Sequence, residues 1–215
     1  MDKLSAHVVD HSNPRSLSSR ARRKRWQKFI EVFPDIGDMQ VLDLGGMADY
    51  WLAAPVTPAH VTLVNLASTP SSDRITAVHG DACNLPEDVA AKTFDIVVSN
   101  SLIEHVGGHA QRAKLADTVR RSAPRHWVQT PYRYFPIEPH WLAPAFQFVP
   151  FEVRVRWTLR WRLGHMHADN RQEAVDLVND VELIGLTQMR DYFPNSTIWA
   201  ERAGGLVKSM VAIRG

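Results

Sequence analysis

The chain has 215 residues, 45% of them hydrophobic and 22% charged, with a net charge of +2. These values exclude a disordered or low-complexity chain and allow one domain whose core needs neither disulfides nor metal. The single cysteine, Cys83, excludes an intrachain disulfide and fits a reducing, cytoplasmic setting; no apolar run approaches the ~20 residues that span a bilayer, and residues 1–14 hold no signal-peptide core.

Residues 1–21 read as a flexible polar and basic arm, since Ser, Asn, Pro and Arg offer little to bury. Arg15, Arg20, Arg22, Arg23, Lys24, Arg25 and Lys28 sit together with no acid among them. Clustered cations attract phosphate, but the small total charge and the lack of an appended module speak against a nucleic-acid partner. Over 22–33, Trp26, Phe29, Ile30 and Phe33 recur at three- and four-residue spacings, which predicts an amphipathic helix with those cations on its solvated face. Pro34 and Gly37 end it.

Apolar runs at 41–44, 61–64, 75–78, 94–98 and 126–130 then read as buried strands, with a helix predicted over 111–121. Strands alternating with helices predict an α/β fold with a parallel sheet covered on both faces. Residues 131–150 carry five prolines and many aromatics, the mark of a long ordered loop. Helices are predicted over 171–178 and over 187–193, the latter capped by Thr187. The runs 197–202 and 206–213 around Gly204-Gly205 predict a closing hairpin. Residues 22–215 thus form one domain with an insert at about 131–170.

In such a sheet, ligands bind beyond the carboxyl ends of the strands. Those ends carry Asp43 with Gly45-Gly46, Asn65, Gly80-Asp81-Ala82, Asn100-Ser101 followed by Glu104 and His105, and Thr130-Pro131-Tyr132. A dinucleotide site would ask for the full G-x-G-x-x-G pattern, which Gly45-Gly46-Met47 breaks. Cys83 reads as a small buried hydrophobe rather than a nucleophile.

Val41-Leu42-Asp43-Leu44-Gly45-Gly46, then Gly80-Asp81-Ala82, then Phe94-Asp95-Ile96-Val97-Val98-Ser99-Asn100, in this order and spacing, resemble class I S-adenosylmethionine-dependent methyltransferases. The resemblance covers about residues 25–215. It implies a Rossmann-like, seven-stranded, mostly parallel sheet with a C-terminal antiparallel hairpin. It further implies that Asp43, Gly45 and Gly46 hold the methionine moiety, that Asp81 accepts from the adenine amino group beside the Ala82 N–H, and that Asn100 and Ser101 face the methionine end or the acceptor. Asn65 stands where the family has an acid for the ribose hydroxyls, and Met47 and Asp49 stand where relatives have glycine. Tyr50 and Trp51 are expected to pack the cofactor pocket.

On the acceptor side, Thr130-Pro131-Tyr132-Arg133-Tyr134-Phe135-Pro136-Ile137-Glu138-Pro139-His140-Trp141 follows strand five and should roof the transferable methyl group. His140 is the candidate general base, because a neutral imidazole is available near neutral pH. Glu138 would orient it, and His105 is the second candidate. Tyr132, Arg133 and Trp141 suit a polar, ring-shaped ligand. His140 bonded to a backbone carbonyl is the plainer alternative. A metal site made by the His and Glu is a further alternative, and no metal ligand is assigned. Phe-Pro-Ile-Glu-Pro-His and the ending at 201–210 resemble methyltransferases of bacterial glycan and polysaccharide biosynthesis. The chain also resembles the mycobacterial sugar O-methyltransferases that cap the reducing-end (1-OH) hydroxyl of methylmannose polysaccharide precursors. That resemblance implies a sugar or oligosaccharide hydroxyl as acceptor. An RNA or small-molecule acceptor and a non-catalytic cofactor-binding protein are the alternatives. Arg154, Arg156, Trp157, Arg160, Trp161 and Arg162 read either as part of the acceptor cleft or as an amphipathic helix whose Trp residues pack down. Oligomeric state stays open between monomer and homodimer.

Overall fold

A computed structural model describes residues 17–67, 70–161 and 164–215. Most of the expected basic arm, and Arg162, lie outside them. The first helix, α1 (Leu17–Val32), begins ahead of the expected 22. It buries Trp26 and Phe29, and Phe33 just past its end is buried beside them. Each such side chain contributes roughly 1.5–3 kcal/mol when taken out of water. Its basic face is not simply solvated: Arg25 lies against Glu201 (Nε to Oε2, 3.3 Å) and its Nη1 donates to Gln129 Oε1 at 3.2 Å. Arg25 therefore anchors the helix to the sheet.

Strands β1 (Gln40–Leu44), β2 (His60–Asn65), β3 (Ile75–His79), β4 (Ile96–Asn100) and β5 (Arg125–Pro131) pair in parallel. The hairpin β8 (Thr197–Ala203) and β9 (Leu206–Arg214) completes the sheet, with β9 antiparallel to both β5 and β8. The order is β3-β2-β1-β4-β5-β9-β8. The expected seven-stranded, mostly parallel sheet with a C-terminal antiparallel hairpin is what the chain forms. The central strands are apolar on both faces because helices cover both, and two separate cores result. One holds α4 (His109–Ser122), reached through the short α3 (Glu87–Ala90), and α7 (Leu186–Tyr192). The other holds α1 and the one-turn α2 (Ala48–Leu52). The cap expected at Thr187 is instead Gly185, whose backbone N–H donates to Gln188 Oε1; Thr187 lies one residue inside the helix.

Between β5 and β8 the chain builds a third core. The two-residue strands β6 (Ile137–Glu138) and β7 (Ala143–Pro144) pair antiparallel, and α5 (Phe151–Arg160) packs on α6 (Arg171–Asp180). Trp141, Phe146, Val155 and Ala174 are buried between them. No helix among the described residues is long and apolar enough to cross a membrane.

Candidate active site

The strand order reverses between β1 and β4, so the crevice at their carboxyl ends is where such a sheet admits a ligand. Gly45 sits there at φ +79. Gly46 packs so tightly that an added Cβ would lie 1.8 Å from Asp43 Oδ2. The backbone turn is thus shaped by the absence of side chains. Asn65, at the end of β2, braces it: Nδ2 donates to the carbonyls of Gly45 and Gly46, both at 3.0 Å. Its Oδ1 accepts from the Ala67 N–H at 2.9 Å. Asn65, expected at the ribose, thus has a structural task in the turn, and its Oδ1 keeps acceptor capacity.

Asp43 is buried beneath the turn. Its Oδ2 accepts from Trp51 Nε1 at 2.7 Å, while Oδ1 is buried without a partner. Burial pushes this carboxyl up to about 7, against the opposing pull of Trp51. Tyr50 stacks on Trp26 with ring centroids 4.8 Å apart. Burial and the neighbouring Asp43 charge raise the Tyr50 phenol. Tyr50 and Trp51 thus pack with Trp26 beside the glycine turn. Asn100 leaves Oδ1 buried and unpartnered. Ser101 has φ +54 and donates through Oγ to Gln129 Oε1 at 3.2 Å. Asp81, at the far end of the row after β3, accepts from the Cys83 N–H at 2.8 Å and remains exposed, with Ala82 buried beside it. The half-buried Cys83 thiol is pushed up to about 11 by burial and by Asp81, which fits an inert side chain.

At the ends of β4 and β5, the residues assigned to chemistry come together. Glu138 is the organiser. Its Oε2 accepts from the backbone N–H groups of His140 (2.7 Å) and Trp141 (2.9 Å), and its Oε1 lies 2.6 Å from His140 Nδ1. The carbonyl of His140 in turn accepts from the N–H groups of His165 (2.8 Å) and Met166 (3.2 Å). Gly164 permits this approach, since a Cβ there would stand 2.5 Å from that carbonyl. His140 is thus held by a carboxylate at its ring. Burial opposes its charge, but the Glu138 hydrogen bond and the charges of Glu138, Glu104 and Asp180 outweigh it and raise its pKa. The His105 ring stands edge-on to it, centroids 5.0 Å apart, with Nδ1 3.2 Å from Asp180 Oδ2. Glu104 is fully buried below both; its Oε2 accepts from Thr130 Oγ1 at 2.9 Å, and burial raises its carboxyl.

The proposed substrate residues divide. Arg133 lines a cavity of about 270 Å³ together with Arg154, Glu138 and Gln147. Burial, with Arg133 nearby, lowers Arg154. Tyr132 is half-buried and meets Tyr134 at 5.5 Å. Trp141 does not present itself as a stacking platform. It is 1% exposed, stacked on Phe146 at 4.4 Å, and donates from Nε1 to Thr158 Oγ1 at 2.9 Å. An indole with its N–H satisfied inside a core is a packing residue, so it shapes the cavity from behind. In the Arg/Trp segment Val155 and Thr158 are buried, Arg154 lines the cavity, and Trp157 is exposed rather than packed down. A larger cavity of about 400 Å³, by Trp51, Asp73 and Arg74, reaches Val61 and Ile75, at or near the amino ends of β2 and β3, away from the polar row at the carboxyl ends.

Gln129 and Asp180 complete this region without having been singled out, beside Glu104 and Arg154, which the strand ends and the Arg/Trp segment had named. Glu104 was marked by its place beside His105. Nothing local marked Asp180, which reaches His105 across 75 residues of sequence.

No family model matches the chain, and no curated protein does. Solved structures match widely. A candidate O-methyltransferase from Nostoc punctiforme PCC 73102 superposes with a TM-score of 0.53 at 14% identity, over 92% of this chain. The chain spans 58% of that protein's length. The N-terminal domain of EvdMO1, solved with S-adenosylhomocysteine and D-fucose, gives 0.53 at 16% identity, over 92% of this chain and 84% of that one. A Burkholderia thailandensis 1,6-didemethyltoxoflavin N1-methyltransferase, solved with 1,6-didemethyltoxoflavin and S-adenosylhomocysteine, gives 0.54 at 12% identity, over 98% and 83%. The fold is that of class I methyltransferases. Likeness at this identity carries the fold and not the chemistry: a Rhodobacter sphaeroides chain described as a candidate zinc-dependent alcohol dehydrogenase is also among the matches.

Proposed function

We propose that the chain is an S-adenosylmethionine-dependent methyltransferase whose acceptor is a hydroxyl of a sugar or oligosaccharide, with a place in polysaccharide biosynthesis. The observation that carries the cofactor reading is the glycine turn at the β1/β4 crevice, closed to any side chain at Gly46 and braced by Asn65. Three strand spacings separate the ends of β3 and β4, roughly 14 Å, room for a nucleoside joined to an amino acid. Asp81 at one end suits an exocyclic amine. The unpartnered Oδ1 atoms of Asp43 and Asn100 at the other suit an ammonium group. When bound, the cofactor supplies an electrophilic methyl group on a cationic sulfur. Solved structures of this fold with S-adenosylhomocysteine, one of them in the presence of D-fucose, support the same reading.

Glu138 fixes His140 with its Nδ1 engaged, so Nε2 is the atom that receives the hydroxyl proton as the acceptor oxygen bonds to carbon. The raised pKa makes His140 a stronger base and also reduces its neutral fraction, so turnover should climb as pH rises through that pKa. Tyr132 and Arg133 would hold the acceptor.

Calorimetry with S-adenosylhomocysteine tests the frame. Micromolar binding by the native chain, weakened in Asp81→Ala, supports it. Folded protein that does not bind rejects it. Methyl incorporation into a panel of sugar hydroxyls then tests the acceptor. His140→Ala should lower turnover by about 10²–10⁴-fold with cofactor affinity unchanged. Cofactor binding with no turnover on any sugar would reject the sugar acceptor.

A further inference from the structure

The groups at the ends of β4 and β5 are arranged more strictly than proton transfer requires. One ligating atom from each of Glu104, His105 and His140 lies within 4.8 Å of those of the other two. Each of these side chains has one polar atom held from outside and one left over. Glu104 Oε2 accepts from Thr130, whereas Glu104 Oε1 is buried with no hydrogen-bond partner, in a residue that is 0% exposed. His140 Nδ1 faces the Glu138 carboxylate and His105 Nδ1 faces that of Asp180. A carboxylate only accepts, so both neutral rings carry their proton on Nδ1 and leave a lone pair on Nε2. A carboxylate behind the nitrogen that points away fixes the tautomer and ring angle of a metal-binding histidine and raises its basicity. Here that arrangement occurs twice, from two carboxylates on different elements.

We propose that Glu104 Oε1, His105 Nε2 and His140 Nε2 bind one divalent transition-metal ion, with its remaining positions open towards the acceptor cleft. The ion would supply the partner that the buried carboxylate oxygen lacks. Two imidazoles and one carboxylate suit zinc, cobalt or ferrous iron, whereas magnesium and calcium favour oxygen donors. Three protein ligands with open positions are the pattern of a reactive site rather than a structural one. A hydroxyl in an open position would be acidified by the ion. His140 Nε2 is then a ligand, and its part as proton acceptor belongs to the metal-free protein. Metal binding stands independently of methyl transfer; only the ion's effect on the acceptor rests on that reading.

The full chain, stripped with chelator, is titrated with Co²⁺ and followed by visible absorption and calorimetry, then challenged with Zn²⁺. One Co²⁺ should bind per chain, with ligand-field bands of a low-coordinate nitrogen–oxygen site that Zn²⁺ abolishes. Glu104→Gln and His105→Ala should each lose roughly 100-fold or more in affinity. Asp180→Asn, which touches only the outer carboxylate, should lose roughly 10-fold with melting unchanged. If Glu104→Gln does not fold, His105→Ala and Asp180→Asn decide. Folded native chain that binds no stoichiometric ion, or equal affinity in those two variants, overturns the proposal. Binding of S-adenosylhomocysteine, measured alongside, reports on the methyltransferase reading separately.

Discussion

The glycine turn after β1 and the insert after β5, the two halves of the proposed site, are built by opposite means. At the turn, shape comes from missing side chains, and one short amide, Asn65, holds two carbonyls in place. In the insert, shape comes from bulk and charge. Trp141 and Phe146 make a core of their own, and the single carboxylate of Glu138 gathers two backbone N–H groups and an imidazole. A backbone-built site tolerates little addition. A side-chain-built site tolerates little removal.

That contrast can be broken most forcefully from the insert. Trp141→Ala should cost about 3–5 kcal/mol of stability, as large-to-small changes in full cores do. Melting should fall while binding of S-adenosylhomocysteine survives in whatever remains folded; a parallel loss of cofactor affinity would mean that the halves are one cooperative unit. Next, Gly46→Ala drives a carbon into the Asp43 carboxylate. Affinity for S-adenosylhomocysteine should drop about 100-fold, which corresponds to about 2.7 kcal/mol, and unchanged calorimetry would show the turn to be irrelevant to the ligand. Asn65→Ala removes two bonds worth about 1 kcal/mol each. Roughly tenfold weaker binding with modestly lower melting is expected, and loss of melting alone would make Asn65 purely structural.

The smallest effect concerns Asp43. Its folded pKa, about 7, exceeds the ordinary 3.8. The folded chain therefore keeps a proton that the unfolded chain releases, so this group's contribution to stability falls as pH rises from about 4 to about 7 and is level above. Asp43→Asn removes that penalty while keeping an acceptor for Trp51. Melting at pH 8 should rise by a few degrees, about 1 kcal/mol, and the slope between pH 4 and 7 should flatten, while S-adenosylhomocysteine binds more weakly. Lower melting at pH 8 would show that the ionised carboxylate is itself stabilised.

Much of the fold was legible because periodicity is local. The strands at 41–44, 61–64 and 126–130 lie in the observed β1, β2 and β5, and the hairpin closes at Gly204-Gly205. What escaped had no local signal. The one-turn helices Ala48–Leu52 and Glu87–Ala90 are too short for a helical period. Thr187 offered good cap chemistry, yet the helix begins at Leu186, behind Gly185. Trp141 looked like a ligand platform because an aromatic residue in a loop does not announce which side is covered. Its burial depends on Thr158 and Phe146, which the chain brings back only through α5 and the turn before it.

The sequence by itself determined the alternation of strands and helices, the polar strand ends and the glycines that must stay glycine, because each follows from neighbouring residues and backbone sterics. The tertiary structure alone decided what those groups meet. It placed Asn65 on the glycine carbonyls, Arg25 against Glu201, and Asp180 behind His105. Side chains dozens of residues apart become partners only after the sheet is ordered and the insert has packed, and that long-range pairing sets charge, protonation and chemistry.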